Sequence, residues 1–84
     1  MNIRHTKHHL SEAMEQLQET LDAINSSEFS ESQLQIDLEH LYHHLNTAWN
    51  ARNASEEETK ECSDENYNKW GEFPTDLELL NVNT

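Results

Sequence analysis

The sequence predicts an all-α protein: an antiparallel helical hairpin with short C-terminal helical turns packed across it, dimerising into a four-helix arrangement. Three observations carry this expectation. Two long segments each repeat apolar residues at helical spacing. The single glycine, Gly71, and the single proline, Pro74, both fall in the last third, so neither long segment is broken. Cap signals open the second helix and the short turns that follow it. The 84 residues make one small domain, 1–84.

The first helix is expected over 1–26. Leu10, Met14, Leu17, Leu21 and Ile24 form a stripe of alternating four- and three-residue steps, and Ile3 extends it backwards. Asn2, Thr6 and Ser11 could each cap its start. Asn25, Ser26 and Ser27 favour a turn at its end. The second helix is expected over 30–53. Ser30 with Gln33 reads as a capping box, and Phe29 with Leu34 as a hydrophobic staple. Leu34, Leu38, Leu41, Leu45 and Ala48 repeat the same stripe, which Tyr42 and Trp49 widen.

A short connection folds two such helices back on each other. The stripes are then expected to face inward, pairing Ile24 with Leu34, Leu17 with Leu41, and Leu10 with Ala48. A core this small rarely supplies more than about 3–5 kcal/mol of net stability. Self-association into a homodimer is therefore expected, and Ile36 adds an outward apolar group near the turn.

Residues 55–84 form an acidic segment of short helices. Ser55 precedes Glu56, Glu57 and Glu58; Ser63 precedes Asp64 and Glu65; Thr75 and Glu78 make a further box. Cys62 and Tyr67 stand at staple spacing, and Gly71 sits where a left-handed helix-ending residue would go. Tyr67, Trp70, Phe73, Leu77 and Leu80 are expected to lie across the face marked by Tyr42 and Trp49.

Charge narrows the partners. The chain carries −12, with −2 in 1–26, −3 in 27–53 and −7 in 54–84. Phosphate neutralisation needs clustered Lys and Arg, so direct nucleic-acid binding is excluded, as is an anionic membrane surface. No apolar run approaches the roughly 18 residues of a membrane helix. With no secretory signal visible, a cytoplasmic protein is expected, and the Asn25 and Asn53 glycosylation patterns read as chance. Arg4, Lys7 and Arg52 should form one basic spot, matched by Glu56, Glu57 and Glu58 or by another subunit.

Six histidines stand out. His5 with His9 and His40 with His44 are four apart, a spacing that lets two imidazoles share a metal. These four are the candidate metal ligands. The heptad count, however, turns His5, His8, His9, His40 and His43 outward, with only His44 flanking the stripe. It also offsets the two clusters by about 10 Å. The expectation is therefore no metal site, and solvated rings titrating near pH 6.5.

Nucleophilic catalysis has little to use. Acidic neighbours Glu61 and Asp64 would raise the Cys62 thiol pKa, and one glycine cannot build a phosphate-cradling loop. No enzyme activity and no cofactor are expected. Tyr42, Trp49, Trp70 and Phe73 are the candidate interaction residues. The composition thus points to a small acidic protein–protein interaction module, an adaptor or regulator with a protein partner that could be basic. The alternatives are an acidic mimic occupying a basic nucleic-acid-binding surface, and a histidine-rich metal binder.

Overall fold

A computed structural model describes residues 1–61 and 63–76. Among them 73% are helical and none is in a strand. The order is α1 (Ile3–Ala23), α2 (Glu31–Asn50), α3 (Glu56–Glu61) and α4 (Asp64–Gly71). No described helix is long and apolar enough to cross a membrane.

Side-chain caps set most of the starts. The Asn2 side chain accepts from the His5 amide, which settles the three-way choice at α1. Ser30 accepts from the Gln33 amide at 3.2 Å. The Gln33 side chain turns instead to Asp37 Oδ1, so this box closes on one side only. At α3 the box is reciprocal: Ser55 Oγ accepts from the Glu58 amide, and Glu58 Oε1 accepts from the Ser55 amide, both at 3.1 Å. Ser63 caps α4. Both long helices are shorter than expected. Residues 24–27 are spent on the turn, where Ser26 donates to Ala23. At the end of α2, Arg52 bonds back to Trp49, tightening the last turn before the chain leaves. Cys62, Leu77, Glu78 and Leu80 lie outside the described residues.

The helices pack on faces beside the apolar stripes, of whose members Ala48 alone is buried among the described residues. Residues rising along α1 meet residues falling along α2: Asn2 with Arg52, His9 with His44, Gln16 with His40, and Thr20 with Asp37. The buried residues of α1 are Ala13, Gln16 and Thr20, and those of α2 are Asn46, Thr47 and Ala48. The expected pairing of Leu17 with Leu41 and Ile24 with Leu34 across the interface is therefore overturned. Leu10, Met14, Leu17, Leu21 and Ile24 are 47–69% exposed.

Helical geometry explains the result. The contact residues 9, 13, 16 and 20 each precede a stripe residue by one, as do 37, 40, 44 and 47. One residue is about 100° of rotation. Because the two helices run in opposite directions, the same step turns both apolar stripes to the same side of the pair. Small or hydrogen-bonding residues then line the seam. Ala13, Thr47 and Ala51 let the backbones approach, while Gln16 bonds across it to His40 and Thr20 to Asp37.

The last helix, α4, takes the opposite side of α2. Asn46 donates to the Gly71 carbonyl, and Asn50 to those of Trp70 and Glu72. These amides serve the exposed carbonyls ending α4 rather than the aromatic side chains. Tyr42 stays half exposed, so the expected cover over it is absent among the described residues.

Gly71 is the last residue of α4, not a left-handed residue beyond it. Its missing side chain serves a close approach, since a Cβ there would fall on the His43 ring.

Candidate functional site

His5 and His9 stand one turn apart on α1, as do His40 and His44 on α2, and the seam brings all four together. His5 Nε2 lies 3.2 Å from His9 Nε2. His9 Nδ1 lies 3.0 Å from His44 Nδ1, and His44 Nε2 lies 3.0 Å from His40 Nε2. His40 Nδ1 meets Gln16 Oε1. The expected 10 Å offset is corrected: rotation of both helices puts the histidine columns into the seam, and a shift in axial register sets His9 opposite His44, where the stripe pairing set Leu10 opposite Ala48.

The chain of rings has one direction. Gln16 Nε2 donates to Thr20 Oγ1, which leaves the Gln16 oxygen facing His40. A carbonyl oxygen only accepts, so His40 Nδ1 carries a proton. With neutral rings, each of which has one donor and one acceptor, the remaining links follow. His44 Nε2 donates to His40, His9 Nδ1 to His44, and His5 Nε2 to His9. The chain ends at the His5 Nδ1 lone pair, which is buried without a partner among the described residues.

The rings are less solvated than the sequence implied. Burial pushes His9 down from 6.5 to about 4, helped by the positive charge that His5, His44, His8 and His43 would carry. His44 is lowered by burial and then by His40, against an opposing pull from Glu12. Burial and His8 lower His5, with Glu56 opposing. His43 is lowered by burial and His40. Those four rings are thus biased toward the neutral form, the form that ligates metals.

Beside the rings lies a pocket of about 310 Å³, bordered by His5, His9, His40, His43 and His44 and covered by Thr47, Thr59, Tyr67 and Trp70. His43 stacks on Tyr67 with centroids 4.2 Å apart, and His5 meets the Trp70 ring at 5.8 Å. The hydroxyl of Thr47, a residue only 3% exposed, is also without a partner. The two orphan polar atoms among the described residues therefore belong to residues of one pocket. No three ligand atoms among the described residues converge on one point, because each ring of the chain is oriented toward its neighbours.

The four candidate interaction residues separate. Trp70 is buried against His5, whereas Phe73 is 72% exposed and Tyr42 50%. The Trp49 indole donates to Asp76 Oδ1 at 3.0 Å, under the Arg52 guanidinium 3.9 Å from its ring centroid. Arg52 also pairs with Asp76 at 3.5 Å. The Trp49 hydrogen bond, then Arg52, hold the Asp76 carboxyl below its usual range. This is the one salt bridge among the described residues, so the expected match of Arg52 with Glu56, Glu57 and Glu58 does not form.

The histidine spacing was legible in the sequence, but Gln16, Thr47 and Trp70 as parts of the same site were not. Their signal was positional: 5, 9, 13, 16 and 20 form a second helical column beside the apolar one. Comparison with protein-family models, curated proteins and solved structures finds no match to this chain.

Proposed function

We propose that this chain is a non-enzymatic interaction module, an antiparallel helical hairpin that seats its apolar face on a second copy of itself. The observation that carries this reading is the uncovered face. Leu10, Met14, Leu17 and Leu21 of α1 flank Leu34, Leu38, Leu41 and Leu45 of α2 on the side away from α3 and α4, and the α1 members are 47–69% exposed. Contiguous apolar surface of this kind marks an interaction site.

A second copy fits it on pattern and on size. The heptad spacing on both helices suits knobs-into-holes packing, and two such faces related by a two-fold axis make a four-helix bundle. A helix of 21 residues is about 31 Å long, and a packed pair is roughly 20 Å wide. The flat footprint is on the order of 600 Å², which side-chain relief raises toward the ~800 Å² per partner of a stable complex.

Light scattering at micromolar concentration tests the reading. A species of twice 9.9 kDa is expected, reverting to 9.9 kDa in Leu17→Glu. Both copies are acidic, so added salt should strengthen association by screening repulsion. A basic partner in place of a second copy would leave the chain at 9.9 kDa, and its binding would weaken with salt.

A further inference from the structure

Two of the four histidines come from each long helix, and each pair presents its Nε2 atoms 3.2 or 3.0 Å apart. The pairs meet through His9 and His44, again at 3.0 Å. Nitrogens bound to one tetrahedral ion at about 2.0–2.1 Å stand roughly 3.3–3.4 Å from each other. Within each helix the Nε2 spacing is already within a few tenths of an ångström of that figure; His9 and His44 meet through their other nitrogens, Nδ1, so the two pairs converge on one ion only after those rings turn.

The surroundings suit such an ion. Gln16 accepts from His40 Nδ1 and so directs its Nε2 toward His44, the outer-shell arrangement that orients ligating histidines. The His5 Nδ1 lone pair and the Thr47 hydroxyl are buried without partners, and both residues border the adjoining pocket. An all-imidazole donor set selects the zinc, copper and nickel class over magnesium or calcium, which require oxygen.

We propose that His5, His9, His40 and His44 form a site for one divalent transition-metal ion per chain, clamping α1 to α2. As the rings stand, their nitrogens bond to one another in series. The ion competes with those N–H···N bonds for the acceptor lone pairs, and the rings turn to face it. The clamp lies in the seam, on a different face from the apolar stripes, so it does not depend on self-association.

The test is titration of the chelator-treated full chain with zinc, followed by calorimetry and thermal melting. One equivalent per chain with a raised melting temperature is expected. His9→Gln and His44→Gln should each weaken binding at least tenfold, while His8→Gln, on the exposed side of α1, leaves it unchanged. Leu17→Glu should bind as the wild type does. Circular dichroism of the metal-free variants checks that each keeps its helix. If a variant loses helix, cobalt absorption of the wild-type chain decides: an intense tetrahedral spectrum supports the site, and a weak octahedral one overturns it. Absence of saturable uptake, two ions per chain, or equal loss in His8→Gln would also overturn it.

Discussion

At Gly71 a single methyl group decides how closely α4 approaches α2. A Cβ there would meet the His43 ring, which also packs on the Tyr67 ring. Gly71→Ala gains about 0.5–1 kcal/mol of helix preference but overpacks at a cost of about 1–3 kcal/mol. A net loss of roughly 1 kcal/mol in denaturant unfolding is expected. In a His43→Ala background the same change should become neutral or stabilising, which a double-mutant cycle measures.

His9 makes stability depend on pH. Its folded pKa is about 4 against 6.5 for the unfolded chain, so as pH falls the unfolded state takes the proton first. The metal-free protein should lose stability between pH 6.5 and about 4 and level off below, for this group. The full shift corresponds to about 3 kcal/mol, which solvent access to a half-buried ring reduces to roughly 1–2 kcal/mol. His9→Gln should flatten that part of the profile.

At the scale of the element, α4 is held by amides more than by apolar contact. Asn50 donates to two carbonyls at its end, at 2.8 and 2.6 Å. Asn50→Ala should cost about 1–2 kcal/mol and speed hydrogen exchange of the α4 amides while α1 and α2 stay protected. Slow exchange in α4 would contradict this.

Elements were the most legible level of the sequence. The Ser30, Ser55 and Ser63 caps form because a short hydroxyl before a helix has a backbone amide within reach whatever the rest of the chain does. The inward face was not legible. Periodicity shows that Leu10, Met14, Leu17 and Leu21 share a side, but not what covers that side. The neighbouring column of His5, His9, Ala13, Gln16 and Thr20 has the same period. It offers hydrogen bonds and small side chains, which a hydropathy pattern undervalues. The same ambiguity hid the site: once the columns are rotated by one residue, the histidines assigned to solvent face one another.

At the scale of the whole molecule, the helix pair has three surfaces. A polar seam carries the histidines, α4 covers one side, and an apolar face remains for a second copy. Leu17→Glu should separate the copies without unfolding the chain, because Leu17 lies outside the seam and is 47% exposed. Unfolding of that variant would instead place the stripe inside.

Nuclear Overhauser contacts in Leu17→Glu, recorded where it sediments as 9.9 kDa, test the rotation of the helices most directly, because every contact is then within one chain. Contacts between the His9 and His44 rings and between Thr20 and Asp37 are expected. Contacts of Leu10 with Ala48 and of Ile24 with Leu34, with none between His9 and His44, would contradict it.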